Sequence, residues 1–323
     1  MQAGRHGERR PPDVREDPNV KRLGQSRDLP GGAKAATVRD VGLEDVDGWQ
    51  ADVLAERVEA AQMLAALPTL RSIQSSQSNA LVAALIIVAF VALERGWLWR
   101  SGIAIALGTI IKIFPAAAIV FALPRSNRVR AIAITIVCTA VLLALPLFVI
   151  PPGALAAQYQ SWGSLERTEA ALAGLSAMAL FRDAGINWPE WPLQLAGCAI
   201  VLATPWLRRR DWNDRNLRLQ FLGFVLVFCV VFNHRAERQS AVIALTGAII
   251  WYLASPRSAW RTLLFAIVYV LVAVTGSAVV PDVIKQILSA EIRFTIPLTI
   301  LWLVMLGELT LRRNYRVLVA EVD

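Results

Sequence analysis

A chain of 323 residues with 56% hydrophobic content is too apolar for a soluble domain of its size, because its apolar residues fall in long blocks and not in amphipathic stripes. Its formal net charge of +8 does not call for nucleic acid, since the bases sit mainly in short loops between apolar runs, where positive-inside topology accounts for them. Cys138, Cys198 and Cys229 lie inside apolar runs without paired spacing, and His6 and His234 form no His/Cys cluster, so packing is expected and neither a disulfide framework nor a protein metal site.

Residues 1–50 are rich in Arg, Asp, Glu, Gly and Pro with no aromatic before Trp49, too little apolar surface to offset the entropy of ordering. They read as disordered, and they lack the apolar core of a signal peptide. From Asp52 to Pro68, Val53, Leu54, Val58, Ala61, Leu64 and Leu67 recur at helical spacing, compatible with an amphipathic helix on a membrane surface. Residues 1–68 are therefore read as a polar extension and 69–323 as a multispanning membrane domain. The fold class expected is all-α, a polytopic membrane helix bundle.

Eight apolar runs follow: Ser78 to Leu93, Gly102 to Leu123, Ala131 to Ile150, Pro189 to Leu207, Leu217 to Asn233, Ser240 to Ala254, Ala259 to Val280, and Ile292 to Thr310. The positive-inside rule puts Arg125, Arg128 and Arg130, the arginines from Arg208 to Arg218, Arg257 and Arg261, and Arg312, Arg313 and Arg316 in the cytoplasm. One loop breaks this parity: Glu94 to Arg100 is basic yet lies one span before another basic loop. A broken second run resolves it. That run carries KIFP, where Pro115 disfavours helix at Phe114 and leaves the carbonyl of Ile111 without its usual donor, predicting a kink or a turn back toward the starting face. Lys112 then stands near the foot of a cavity; the bland reading is a lysine snorkelling to an interface, but a mid-segment charge is costly and favours function.

The joint FNHRAERQS, Phe232 to Ser240, packs His234, Arg235, Glu237 and Arg238 between two runs at or below comfortable spanning length. Ionisable groups held that close to a membrane are expected to pair or to line a watered cavity; an ordinary hairpin loop is the alternative. Before the first run, RSIQSSQSN (Arg71 to Asn79) offers Gln74, Gln77, Ser78 and Asn79 as a polar helix entry, which capping explains from chemistry alone. If the loop after the first run is cytoplasmic, this amide cluster lies on the outer face, the side on which the rule places His234, and a shared pocket is considered. The connection from Pro151 to Trp188 holds Gln158, Tyr159, Trp162, Glu166, Arg167, Arg182 and Asp183, and its length suits a lid or binding segment. Trp188, Trp191 and Trp206 read as interfacial anchors.

Taken together, QSNALVAALIIVAFVALERG, the IKIFP segment, FNHRAERQSAVIALTGAIIWYL and PDVIKQIL followed by IRFTIPLTILWLVMLGEL resemble bacterial membrane glycosyltransferases of glycosyltransferase family 87, similar to polyprenol-phosphate-mannose-dependent mannosyltransferases, over roughly Leu64 to Leu311. The resemblance implies a glycosyltransferase C-like helical fold in the bacterial inner membrane with a site open to its outer face. It implies transfer of a hexose, mannose above all, from a polyprenyl-phosphate donor to a lipid or glycan acceptor, with no further cofactor. It puts Gln77 and Asn79 at the pocket entrance, Lys112 and Arg235 on the donor side, and His234 with Glu237 at the reacting centre. Such enzymes carry further spans before the QSN motif and an acidic general base in a first outer loop. Here a polar stretch stands in that place, so a truncated amino terminus and a missing base are expected; Asp40, Glu44, Asp45 and Asp47 are the acids there. A transporter and a noncatalytic remnant are the alternatives. Transporters favour paired broken helices, and KIFP has no second copy.

Overall fold

The computed structural model describes residues 48–169, 174–186, 189–256, 258–275, 280–281, 283 and 287–311, with the backbone alone at 48–54 and 166–169. The chain divides into two units, residues 1–56 and 57–323; the second carries the bundle. Asp40, Glu44, Asp45, Asp47, Trp188, Arg257, Arg312, Arg313 and Arg316 lie outside the described residues.

The protein is all-α, and the described residues contain no strand. The helices are α1 (Gly48–Gln74), α2 (Asn79–Glu94), α3 (Leu98–Ile111), α4 (Arg128–Ala144), α5 (Pro152–Glu169), α6 (Ala177–Asp183), α7 (Glu190–Leu207), α8 (Arg215–Val231), α9 (Ala241–Leu253), α10 (Ala259–Tyr269) and α11 (Ile296–Leu311). A 3₁₀ segment, Phe114–Ala122, follows α3; π-helical turns extend α10 through Val274 and begin α11 at Glu291.

At the centre stands α8, in which every residue from Gln220 to Val231 is buried. A helix apolar on all sides can only be a core helix or a membrane one. It lies closest to α9, where a Cβ on Gly223 would come within 2.6 Å of the Gly247 carbonyl oxygen and one on Gly247 within 2.5 Å of the Gly223 carbonyl oxygen. Paired glycines of this kind let two backbones touch. Arg128–Phe148, on the outside, and Glu291–Leu311, half buried against the centre, are each 21 residues long and apolar enough to cross a membrane. Ile136, Val137, Val141, Leu143, Leu145 and Leu147 of the first are exposed, an apolar face suited to lipid and not to water.

Ion pairs close one end of the bundle. The Glu94 carboxylate receives Arg125 and, at 2.9 Å, Arg218 Nε, tying the end of α2 to the return of the broken run and to the start of α8. At the same end Arg208, buried, donates to the carbonyl of Leu309 at 3.2 Å. Nearby, Arg261 is 1% exposed: its Nε and Nη2 reach Glu308 Oε1 at 2.9 and 2.6 Å, its Nη1 donates to the Pro256 carbonyl, and Trp251 Nε1 donates to Glu308 Oε2 at 2.9 Å. The sequence treats Arg208 and Arg261 as loop bases; the fold uses them as buried pins between helices.

The second apolar run is broken, and at the place its proline predicts. Lys112 ends α3 with φ −151° and ψ 142°, and the 3₁₀ segment from Phe114 carries the chain back until Arg125 meets Glu94, the last residue of α2. The run thus starts and finishes at one end, with Lys112 at its turning point.

Beyond Arg57, α1 runs lengthwise along the bundle and not across its surface. Arg57 Nη1 donates to the carbonyl of Leu253, Tyr269 Oη to that of Leu64 at 2.8 Å, and Arg71 Nη1 to that of Ala273 at 3.1 Å. Proline inside a helix removes the donor owed to the carbonyl four residues back. For Pro68 that carbonyl is Leu64, and the Tyr269 hydroxyl supplies the missing bond.

Candidate functional site

At the end opposite Glu94, the joint after α8 is built by short-range bonds. Phe232 ends the helix with its ring against Gly197 of α7, where a Cβ would lie 2.6 Å from ring carbon Cδ1, and against Trp302 at 4.7 Å between centroids. Asn233 Oδ1 accepts the Arg235 backbone N–H at 3.0 Å, turning the chain, and the Ala236 N–H donates to the Asn233 carbonyl at 2.9 Å. Glu237 and Ser240 then cap one another: the Glu237 carboxylate accepts the Ser240 backbone N–H, and Ser240 Oγ accepts that of Glu237. An Asx turn followed by a capping pair thus folds the joint.

The long connection folds back over this joint. Leu175 donates its N–H to the Ala236 carbonyl at 2.7 Å, and Gly174 lies so close that a Cβ there would collide with the His234 carbonyl oxygen. Ser176, Ala177, Met178 and Ala179 are buried beneath it. Gly174→Ala is expected to lift this segment, since such overpacking costs about 1–3 kcal/mol. Labelling of a Ser176→Cys thiol, 1% exposed as serine, should then accelerate by about tenfold or more; an unchanged rate would show that the connection is not seated through Gly174.

A cavity of about 570 Å³ opens between these parts, lined by Ile110 to Phe114 at the break of the second run, Trp162 of α5, Gln194 of α7, and Phe232 to Arg235 with Glu237. Lys112, His234, Arg235 and Glu237 are therefore brought together. Among the described residues, the Glu237 carboxylate and the Arg235 guanidinium stand near enough to act on the Lys112 ammonium. Gln194 Nε2 stands 3.2 Å from His234 Nδ1. With the amide donating, Nδ1 accepts. Among the described residues no group of three or more His, Cys, Asp or Glu is placed to hold a metal ion.

Gln77 and Asn79 share this end of the bundle but do not line the cavity. Gln77 closes the turn after α1, its N–H donating to the Ser72 carbonyl and its own carbonyl accepting from Ser72 Oγ. Asn79 is wholly buried at the start of α2, and its carboxamide makes no hydrogen bond among the described residues. Sequence reasoning missed Gln194. A lone amide within the apolar run from Pro189 to Leu207 was the available signal.

A helical membrane protein with a charged cavity at a broken helix is the class that this fold and site define. The model of glycosyltransferase family 87 matches residues 33–232, well over half of the chain, and the protein belongs to that family of membrane glycosyltransferases. The match includes the segment holding Asp40, Glu44, Asp45 and Asp47 and ends at the first residue of the joint. Comparison with curated proteins and with solved structures gives no match.

Proposed function

We propose that the protein moves a hexose, mannose by its resemblance, from a polyprenyl-phosphate donor to a hydroxyl of a lipid or glycan acceptor, as a multi-pass protein of the bacterial inner membrane with its site at the outer face. The observation that supports this is the convergence of Lys112, Arg235, His234 and Glu237 on one cavity. In the reaction the acceptor oxygen bonds to the sugar's anomeric carbon, the bond from that carbon to the phosphate oxygen breaks, and the hydroxyl proton goes to a base. The departing lipid phosphate gains a negative charge. Lys112 and Arg235 are fixed cations that favour that charge, and preorganised groups of this kind act most strongly where charge develops.

The resemblance expects a first-loop acid as base and expects it to be missing here; among the described residues Glu237 is the carboxylate lining the cavity, and in this proposal it takes the acceptor's proton instead. His234, held by Gln194, borders the same centre as a hydrogen-bonding group. The lipid-linked sugar is the only co-substrate in this scheme; no separate cofactor is invoked, nor is nucleic acid a partner. Donor contact by Gln77 and Asn79 rests on the resemblance alone.

The test is donor-dependent labelling of a lipid acceptor in reconstituted membranes. Lys112→Ala is expected to weaken apparent donor affinity by roughly tenfold to a hundredfold, the value of about 1.5–3 kcal/mol for a hydrogen bond to a charged group. Unchanged donor affinity would remove Lys112 from the phosphate site.

A further inference from the structure

The joint has a second charged side. Glu237 borders the cavity just described, while Arg238, the next residue, borders a separate one of about 200 Å³ together with Arg71, Ser75 and Gln239. An adjoining cleft shares Arg71 and Arg238 and adds Arg293 from the start of α11. Three guanidiniums from three parts of the chain thus border two adjoining spaces, the second a narrow one of about 10 Å³: the end of α1, the joint, and the entry to α11.

Two of them are held in place through backbone. Arg71 Nη1 donates to the Ala273 carbonyl at 3.1 Å, and Arg293 Nε donates to the Leu288 carbonyl at 2.8 Å, with Arg293 itself buried. Arg238 is exposed at the mouth. Its charge opposes those of both Arg71 and Arg293, while the Glu291 carboxylate acts on Arg238 and Arg293 from the side. Like charges fixed together favour a further anion beyond the Glu291 carboxylate. Guanidinium forks match the oxygens of a phosphate, and the Ser75 hydroxyl and Gln239 amide add neutral donors. Thr275 adds a hydroxyl, and the other walls, among them Pro68, Ala273, Leu271, Val272 and Phe294, are apolar, as a wall beside acyl chains requires.

We propose that Arg71, Arg238 and Arg293 form an anion site for a phosphate group, separate from the Lys112 cavity. The site stands on its own geometry, whichever reaction the neighbouring cavity performs. Its ligand is a phosphate monoester, carried by a membrane lipid or free in solution.

The experiment is native mass spectrometry of the full chain in detergent, titrated with dioleoyl phosphatidic acid, with dioleoylglycerol as the uncharged control. The wild type is expected to retain phosphatidic acid at least about tenfold more tightly than Arg238→Gln, the effect of losing charge-assisted hydrogen bonds from one guanidinium. Arg238→Lys should recover part of the binding, and dioleoylglycerol should not distinguish the variants. Equal affinity for phosphatidic acid in wild type and Arg238→Gln overturns the proposal. Inorganic phosphate separates the sources: competition with the lipid marks a site satisfied by the bare anion, and its absence marks a lipid headgroup site. The Arg238→Gln effect should persist in a Lys112→Ala background, where the neighbouring cavity has lost its own phosphate partner, so failure of sugar transfer and failure of the anion site give different results.

Discussion

His234→Ala is expected to lower sugar transfer by about 10²- to 10³-fold, the loss that follows removal of one preorganised hydrogen-bonding group from a reacting centre. The imidazole lines the cavity with Lys112 and Glu237, and Gln194 Nε2 at 3.2 Å from Nδ1 fixes how the ring stands. Because the joint is folded by Asn233, Glu237 and Ser240 and not by the imidazole, membrane insertion and thermal stability of the variant should match the wild type. Gln194→Ala should show a smaller loss that falls on the rate more than on donor affinity, since it acts through the ring. Full transfer activity in His234→Ala would take the residue out of the site.

Glu308→Ala is expected to be the most destabilising single change in the bundle. Arg261 is 1% exposed and Glu308 6%, and removing one partner of such a pair strands the other charge, at about 3–5 kcal/mol. It also frees Trp251 Nε1, whose bond to Glu308 Oε2 crosses from α9 to α11. The thermal midpoint in detergent should fall sharply. The double variant Arg261→Met with Glu308→Leu should recover much of the loss, because no charge is then left buried. A double variant as unstable as Glu308→Ala would mean that packing, not charge, accounts for the effect.

Much of this architecture is legible in one dimension. Apolar runs announce the all-α bundle, and Pro115 announces the break that puts Lys112 at a turning point. His234, Arg235 and Glu237 are conspicuous because charged residues so near a membrane are costly, and that cost does not depend on knowing their neighbours. Pairing is another matter. Nothing local to Arg208 or Arg261 says that each reaches a group about 50 to 100 residues away, at Leu309 and Glu308, so both read as loop bases. Gln194 is hidden for the same reason: its partner His234 is 40 residues distant. The seating of Gly174 on the joint is also out of reach, since a glycine at a close approach looks like any loop glycine until the other backbone is known.

The bond from Tyr269 to Leu64 has a consequence for alignment. A regular helix has its interior carbonyls already engaged, so a rod lying beside another can slip by a turn with little to mark the error. Pro68 releases a carbonyl at one height only. Tyr269 works as an index mark that reads that height, and a slip of one turn, about 5.4 Å, would miss it. Since Arg71 is three residues beyond Pro68, the same mark sets how far along the bundle its guanidinium arrives, level with Arg238. A proline and a tyrosine that carry no charge thereby act as the gauge for a charged site.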